Sequence, residues 1–345
     1  MFQTLKLHIR NLGVRFFQRI GSDIHDERTG ERLGRGFLFA WRDRIHLIGV
    51  DASLIPVPLR QKRITYWKQE IGFTTHPKPD FPRREPAISL LENSPLKNAI
   101  PNPLVVILDH RDETQIQVLL NYWCPKFCPS VKLLLAYGGS ASQFDSLSWP
   151  NKVFVNDPRL RTHDHQRDRQ SYRGMMQAVS TWIKDRNFTH ILFMESDHIP
   201  LAPDILTRYL TRMTAEDADI LGYWLSRLDR TTHPHWLSTV ASSMPADTIL
   251  SMLGTGHFWK REAWVAASAI EEFSELYLEL DLPTSAHYLG FRICGFQNNL
   301  NRWVRALPFS ESDLDLAVQA DPWSVHPIKT FQSSSVFQTL TDRQQ

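Results

Sequence analysis

Short apolar runs alternate with stretches of helical periodicity between residues 104 and 194. Four of the runs have the length of buried strands, at 104–108, 131–137, 152–155 and 191–194. The segments between them repeat apolar residues at helical spacing, as Ile116, Leu119 and Trp123 do. Strands that alternate with helices predict βαβ units. The expected fold class is therefore α/β, with a Rossmann-type, mostly parallel sheet flanked by helices.

The flanking parts of the chain have other patterns. Residues 22–75 contain short alternating runs between turn signals, which predict a small β-rich unit. Seven prolines fall in residues 76–103, so this stretch is predicted to be a linker without regular structure. The α/β domain is expected to span residues 104–331, and residues 332–345 are expected to form a flexible tail.

Beyond the acidic strand, the pattern predicts four further elements of the α/β domain. They are a strand and three helices, at 219–224 and at 200–213, 261–272 and 283–289. The last helix is expected to open at Pro283, because proline suits the first helical turn.

The first 21 residues predict a basic amphipathic helix, with apolar residues at helical spacing, four cations and no acid. Such a helix can rest on an anionic membrane surface, pack within the protein or serve as a targeting segment. No stretch reaches the roughly 18 apolar residues that a spanning helix needs. We expect a cytoplasmic protein, with contact at the inner face of the membrane as an open alternative.

Composition narrows the classes of function. The 345 residues include 39 Lys or Arg and 37 Asp or Glu, a net charge of +2, so no binding to nucleic acid is expected. The three cysteines are too few for a disulfide framework. Cys124 and Cys128 lack the neighbouring ligands that a zinc site would need, and reduced thiols are expected.

Two carboxylates follow the predicted strand at 191–194. Glu195 and Asp197 are one residue apart, so alternation along an extended strand sends both to the same side. Burying two negative charges costs free energy unless a partner neutralises them. A divalent cation, Mn²⁺ or Mg²⁺, is the simplest partner, and it would in turn hold phosphate oxygens. The pair therefore predicts chemistry on a nucleotide-activated substrate.

Asp109 ends the first predicted strand, as the acidic pair ends the fourth. In mostly parallel sheets, ligands bind beyond the carboxyl ends of the strands. Asp109, with His110 and Arg111 after it, is therefore a candidate for contact with a nucleotide. The alternative is that these residues form a loop that caps the following helix, with Asp112 as its N-cap.

Four features, in this order, resemble the GT-A family of nucleotide-sugar glycosyltransferases, in particular its family 2-like members. Residues 195–197 are similar to the DxD motif, with Glu in the first place. Residues 254–258, Gly-Thr-Gly-His-Phe, resemble the glycine-containing strand that enters the sugar pocket. Residues 279–284 resemble the element that carries the base of inverting members, and His326 resembles a late histidine that completes the metal site. The resemblance covers residues 103–330.

The resemblance implies a role for each of these residues. Asp197, Glu195 and His326 would hold the cation. Glu279 would take the proton from the acceptor hydroxyl, with Asp281 as its rival. A larger set would contact the donor nucleotide or its sugar: Asp109, His110, Arg111, Glu195, Gly254, Gly256, His257 and Lys329.

Most of these roles have a structural alternative. Asp197 can cap the helix expected after it, and Glu195 can be a buried carboxylate that pairs with an arginine. Arg173 can reach phosphates, although a solvated helix face is the simpler interpretation. Three residues suited to contact with a sugar can instead pack in the core: Trp236, His257 and Trp259.

The predicted function is transfer of a hexose-like unit from a nucleoside diphosphate sugar to a hydroxyl of a glycan, a lipid-linked sugar or a protein, with inversion. One alternative is a nucleotidyltransferase, which would carry a glycine-rich loop after its first strand, whereas residues 109–112 contain no glycine. A second alternative is a non-catalytic carbohydrate-binding or scaffold protein with the same fold.

Overall fold

The computed structural model describes residues 81–127, 132–162, 170–228, 248–296, 298–301, 303–304, 317 and 322–328, and the backbone of five strands before residue 75. The chain divides into two compact units. The first comprises Met1–Pro79 and Gln297–Arg302, and the second comprises Asp80–Phe296 and Trp303–Gln345. The predicted helix at 1–21 and the predicted tail at 332–345 lie outside the described residues.

The first unit contains a five-stranded antiparallel sheet. Its strands are β1 (Ser22–Asp26), β2 (Arg32–Trp41), β3 (Arg44–Ile48), β4 (Thr65–Trp67) and β5 (Phe73–Thr74). They lie in the order β4-β3-β2-β1-β5.

The second unit is built on a seven-stranded sheet. Its strands are β6 (Pro103–Asp109), β7 (Lys132–Tyr137), β8 (Lys152–Phe154), β9 (His190–Glu195), β11 (Ile220–Gly222), β14 (His257–Lys260) and β15 (Ile293–Gly295). The order is β15-β11-β14-β9-β6-β7-β8, and only β14 runs against the other six. This confirms the predicted α/β class with a mostly parallel sheet.

Helices connect and cover these strands. They are α1 (Ala87–Glu92), α2 (Glu113–Phe127), α3 (Ala141–Ser146), α4 (Arg173–Ile183), α5 (Ile205–Ala215), α6 (Arg261–Ala269) and α7 (Leu278–Tyr288), with α8 (Asn298–Asn301) in the first unit. The backbone N–H of Gln115 donates to the side chain of Asp112, which caps α2 as predicted.

Alternation along the strands supplies a core on each face of the sheet. On one face, side chains of β6 and β9 such as Val106 and Phe193 pack with α4, α6 and α7 in one buried cluster. On the other face, Tyr209 of α5 packs against Phe258 of β14, with ring centroids 5.3 Å apart. No helix among the described residues is long and apolar enough to cross a bilayer.

Two short pairs of strands complete the second unit. β10 (Ile199–Pro200) pairs with β16 (Ser324–Val325), and β12 (Ser226–Leu228) pairs with β13 (Ile249–Ser251). The first pair joins the segment after the acidic strand to a segment more than a hundred residues later. This long-range pairing is what places His326.

Residues 76–103 were predicted to lack regular structure, and this prediction is wrong at helix α1. Residues just before this helix bond it to the rest of the second unit. Arg83 donates two hydrogen bonds to Asp219, and the N–H of Arg84 donates to the carbonyl of Gly290. Prolines exclude a helix only where an N–H is needed, and Pro86 stands at the N-cap.

The last predicted helix begins five residues earlier than expected, at Leu278, so that Pro283 lies inside α7. Proline cannot donate to the carbonyl four residues before it, which is that of Glu279. In the structure this carbonyl accepts the N–H of Met252 instead, at 2.9 Å. A contact from outside the helix therefore permits the proline, and it places Glu279 in the first turn.

Candidate active site

The acidic pair lies at the middle of the sheet's carboxyl edge. Glu195 is the last residue of β9, the fourth of the seven strands, and Asp197 follows in the turn. Ile199 then pairs with Val325, which carries His326 to the two acids. Because helix α5 begins only at Ile205, the alternative that Asp197 caps a helix is not what the structure shows.

Glu195, Asp197 and His326 face one another closely. His326 Nε2 lies 3.3 Å from Glu195 Oε2 and 3.4 Å from Asp197 Oδ1. The side chains are 31%, 16% and 8% exposed in that order, so the group is sheltered but open on the side of Glu195. One ligand atom from each residue lies within 4.8 Å of the others.

This donor set fits a divalent cation. Two carboxylate oxygens and one imidazole nitrogen suit Mn²⁺, and three protein ligands leave positions open for phosphate oxygens. Neighbouring ligands in an octahedral shell lie about 3 Å apart, close to the two distances from His326. The residues present therefore fit the cation that the sequence predicted.

The electrostatics of His326 reflect the same arrangement. Burial lowers the pKa of His326, but hydrogen bonds and charge from Asp197 and Glu195 outweigh burial and raise it to about 9. Two nearby carboxylates favour a positive charge at this point. A metal ion bound by these residues would therefore have to displace the proton of His326.

A shell of side chains orients the acidic pair. The hydroxyl of Tyr172 donates to Glu195 Oε1, which leaves Oε2 directed at His326. The N–H of Glu195 donates to Thr255 Oγ1 at 2.9 Å. Thr255 in turn lies 3.0 Å from His198 Nδ1, and the other ring nitrogen of His198 lies 2.7 Å from Ser324 Oγ. Hydrogen bonds thus connect the acidic strand to both segments that face it.

Sequence reasoning missed these supporting residues. Tyr172 stands directly before α4, and nothing in that position indicates that its hydroxyl reaches Glu195. His198 directly follows the acidic pair, and that adjacency was a signal that could have been used. The partners of both residues depend on tertiary contacts.

Glu279 lies beside the acidic pair. The N–H of Gly254 donates to its Oε1 at 3.3 Å, which ties the first turn of α7 to the segment entering β14. Because β14 is antiparallel, that segment lies at the same sheet edge as Glu195. Burial raises the pKa of Glu279 to about 7; the Gly254 N–H lowers it, the charge of Glu195 raises it and His326 lowers it. A carboxyl with such a pKa is suited to general-base catalysis near neutral pH.

Asp281, the predicted rival base, is enclosed in the core. It is fully buried and accepts hydrogen bonds from Arg173 and from Ser285. Arg173 is itself 2% exposed and also donates to the carbonyl of Ala267 at 2.7 Å. The structure therefore corrects two expectations: Asp281 does not face the cleft, and Arg173 is not on a solvated helix face.

The predicted sugar-contacting glycines face protein atoms instead. A Cβ at Gly254 would lie 2.4 Å from the Leu278 side chain, and one at Gly256 would lie 2.3 Å from His198 Cε1. Gly256 also has a φ of +73°, which side chains other than glycine rarely adopt. These positions lack side chains because the walls of the site pack closely there.

His257 and Trp259 belong to the core. His257 stacks on Phe193, with ring centroids 4.8 Å apart, and its Nδ1 accepts the indole N–H of Trp259. Both side chains are fully buried, so contact of His257 with the donor, as predicted, is not compatible with this packing. Trp236 lies outside the described residues.

The residues predicted to contact the nucleotide at the end of β6 lie in different environments. Asp109 is fully buried, and its carboxylate accepts hydrogen bonds from the backbone of His110 and from the backbone and guanidinium of Arg111. This is the loop-capping alternative, and it commits Asp109 and Arg111 to each other. His110 remains exposed at the carboxyl edge, and Lys329 lies outside the described residues.

A cavity of about 480 Å³ opens near the amino ends of β6 and β9, at the opposite edge of the sheet. Its cations include Arg83 and Lys260, and both are paired with the buried carboxylate of Asp219. None of the predicted site residues lines it. The acidic pair and His326 lie at the carboxyl edge instead.

No known sequence family and no curated protein matches the chain. Among solved structures, the galactosyltransferase LgtC in complex with donor and acceptor sugar analogs aligns with 69% of this chain and 94% of its own, at 10% identity and a TM-score of 0.35. Glucosyl-3-phosphoglycerate synthase from Mycobacterium tuberculosis, in complex with Mg²⁺ and uridine diphosphate, aligns with 62% and 74%, at 15% identity and 0.32. The synthetase of CMP-2-keto-3-deoxy-manno-octonic acid, complexed with CTP, aligns with 56% and 89%, at 12% and 0.28.

The class of the second unit follows from its own topology. The sheet order, the single antiparallel strand and the acid at the end of the central strand make this a GT-A-like fold, as the sequence resemblance implied. At such low identity and TM-scores, the similarity to these solved structures gives no information on the chemistry of the site. That chemistry depends on the residues of this chain.

Proposed function

We propose that this protein is a metal-assisted glycosyltransferase, which moves a sugar from a nucleoside diphosphate donor to a hydroxyl group of a glycan or a lipid-linked or protein acceptor. One observation carries the proposal: Glu195, Asp197 and His326 converge at the end of the central strand, next to Glu279. The converging group suits a cation and a diphosphate, and the neighbouring carboxyl suits a hydroxyl that must lose a proton.

Three residues would hold Mn²⁺ or Mg²⁺: Asp197, Glu195 and His326. When bound, the cation would supply charge stabilisation for the diphosphate as it leaves. Tyr172 and Thr255 hold Glu195 in the orientation that this requires.

Glu279 would act as the general base. Its carboxylate would accept the proton of the acceptor hydroxyl while that oxygen forms a bond to the anomeric carbon of the donor sugar. The bond between this carbon and the diphosphate oxygen breaks, and its electron pair leaves with the nucleoside diphosphate. A single displacement of this kind inverts the configuration of the anomeric carbon.

Metal and nucleotide binding test the proposal before the acceptor is known. We expect uridine or guanosine diphosphate to raise the melting temperature of the wild-type protein when Mn²⁺ is present, and not without it. Asp197→Asn should abolish this stabilisation. Asp204→Asn is the matched control, because Asp204 lies at the start of α5 and is more than half exposed.

Turnover then distinguishes the classes of enzyme. Release of nucleoside diphosphate from a sugar donor, lost in Glu279→Gln, supports glycosyl transfer. Release of pyrophosphate from a nucleoside triphosphate and a sugar phosphate would instead identify a nucleotidyltransferase. If the protein neither binds a nucleotide nor turns over any donor, the non-catalytic alternative is supported.

A further inference from the structure

Trp224 is a large exposed side chain at the carboxyl edge of the sheet. It is 47% exposed, whereas the other described tryptophans of the second unit are buried, as Trp123, Trp259, Trp264 and Trp303 are, or half-buried. β11 ends at Gly222 and runs parallel to the acidic strand, so Trp224 emerges at the same edge as Glu195. Its position therefore differs from that of Tyr288, an exposed aromatic residue at the far end of α7.

Short contacts connect Trp224 to both halves of the proposed site. The carbonyl of the preceding residue, Tyr223, accepts the N–H of Leu253, which is next to the glycine bonded to Glu279. The indole N–H of Trp224 donates to the carbonyl of Val304, and Val304 pairs with His326 in a β-bridge. The backbone next to Trp224 is therefore bonded to the segment that contacts Glu279, and the indole is bonded to the residue that pairs with His326.

The backbone holds Trp224 in an uncommon conformation. Its φ is +56°, in the left-handed region that costs a residue with a Cβ free energy. The hydrogen bond to Val304 fixes the indole in one orientation. An exposed aromatic ring that is fixed in this way presents a ready apolar surface to a ligand, without the entropy cost of ordering the side chain on binding.

We propose that Trp224 is the stacking platform for the acceptor, and that the acceptor is therefore a pyranose sugar rather than a flexible polar chain. An indole face matches the apolar C–H face of a sugar ring, while the ring's hydroxyl groups stay available for hydrogen bonds. This inference rests on the proposed function, which makes Glu279 the base.

The side of the sheet favours the acceptor over the nucleotide. β11 and β14 lie on one side of the acidic strand, and β6, with Asp109, lies on the other. Trp224 and Glu279 both belong to the β11–β14 side. A hydroxyl that gives its proton to Glu279 must enter from that side, and a ring stacked on Trp224 is placed to offer one.

Binding of simple glycosides tests the inference. Saturation-transfer NMR would be recorded with methyl glycosides of glucose, galactose and mannose, in the presence of Mn²⁺ and uridine or guanosine diphosphate. We expect at least one glycoside to bind the wild-type protein and Trp224→Phe, and its affinity to fall about tenfold or more in Trp224→Ala. Tyr288→Ala is the matched control and should bind as the wild type does.

Measurement of nucleotide binding in the same variants distinguishes a failure of this inference from a failure of the proposed function. Stabilisation by nucleotide and Mn²⁺ should be equal in the wild-type protein and Trp224→Ala. Equal glycoside affinity in Trp224→Ala, or no glycoside binding by the wild type, overturns the platform while nucleotide binding persists. Loss of nucleotide stabilisation in Trp224→Ala would assign the ring to the nucleobase and also overturn it. Absence of nucleotide binding in the wild type would instead refute the proposed function.

Discussion

At the scale of single residues, the glutamate in the first place of the acid-x-acid element has a geometric explanation. Glu195 reaches two partners from different parts of the chain: Oε1 accepts the hydroxyl of Tyr172, and Oε2 lies 3.3 Å from His326 Nε2. An aspartate at this position would be one methylene shorter and would hold its carboxylate closer to the backbone, away from these two partners. The two contacts of the longer side chain therefore fix which oxygen faces His326.

Removing the hydroxyl of Tyr172 tests this explanation. In Tyr172→Phe, Glu195 loses the partner that orients it, so we expect the affinity for Mn²⁺ to fall by about tenfold or more. Isothermal titration of the nucleotide-free protein with Mn²⁺ measures this directly. Tyr137→Phe is the control, because the Tyr137 hydroxyl also donates to protein oxygens, but away from the acidic pair. Equal losses of affinity in the two variants would contradict a specific role for Tyr172.

The pH dependence of Glu279 provides a second prediction. A base must be unprotonated, and burial raises the pKa of Glu279 to about 7. We therefore expect kcat/KM for sugar transfer to rise as the pH increases through about 7 and then to level off. Glu279→Gln should remove most of the activity at every pH. A wild-type profile that is flat between about pH 6 and 8 would count against Glu279 as the base.

Stability should change with the opposite sign at the same residue. The folded pKa of Glu279 is above its unfolded value of 4.5, so its contribution to stability is present below pH 4.5 and is lost as the pH rises through about 7. At pH 8, the metal-free Glu279→Gln protein should therefore be more stable than the wild type, by an amount on the order of 1–3 kcal/mol. Urea denaturation at pH 5 and pH 8 measures the difference.

At the scale of elements, helix α7 depends on one buried ion pair. Arg173, at the start of α4, donates to Asp281 and Ser285 of α7 and to the carbonyl of Ala267 in α6. The pair thus joins three helices on one face of the sheet. It also holds in place the turn that carries Glu279.

Breaking this pair should be costly. Arg173→Met leaves Asp281 buried without its cation, and we expect a loss of about 3–5 kcal/mol in the free energy of unfolding. The double variant Arg173→Met, Asp281→Leu should recover most of that loss, because no charge remains buried. Arg208→Met, which breaks the half-exposed pair with Asp204, is the control and should cost less than about 1 kcal/mol. Similar losses in Arg173→Met and Arg208→Met would contradict this account.

At the scale of the whole molecule, two neutral histidines of the sheet, the half-buried His190 and the buried His257, make the fold sensitive to acid. Burial, assisted by the charge of Lys260, lowers the pKa of His190 to about 4, and burial lowers that of His257 to about 3. The unfolded chain binds protons at these residues near pH 6.5. Stability that they contribute above pH 6.5 is therefore lost as the pH falls toward 4 and below.

His190→Phe should reduce this acid sensitivity. Phenylalanine can keep the stacking on Phe258, where the ring planes are 6° apart, but it binds no proton. We expect the wild type to lose on the order of 1–3 kcal/mol more than the variant between pH 7 and pH 4. Urea denaturation across this range measures both curves, and parallel curves would show that His190 does not contribute.

Local sequence patterns determined much of the second unit. The continuous apolar runs were enough to predict strands β6, β7 and β9, because strands buried on both faces need apolar residues at every position. The half-buried edge strand β8 was predicted from a shorter run. The acids at the ends of two of these strands could be assigned to one sheet edge, because parallel strands end together. The α/β class and the position of the acidic pair therefore required no tertiary information.

Tertiary structure alone decided which carboxylates face the cleft. Glu279 and Asp281 are two residues apart and chemically similar, yet α7 turns one toward Gly254 and the other toward Arg173. The first turn of this helix was not predicted, because the N–H that bonds the Glu279 carbonyl in place of Pro283 comes from the distant residue Met252. His326 likewise reaches the acids through a strand pairing across more than a hundred residues. Such contacts between distant segments cannot be predicted from local sequence, because they depend on how the whole chain folds and not on the residues adjacent to each partner.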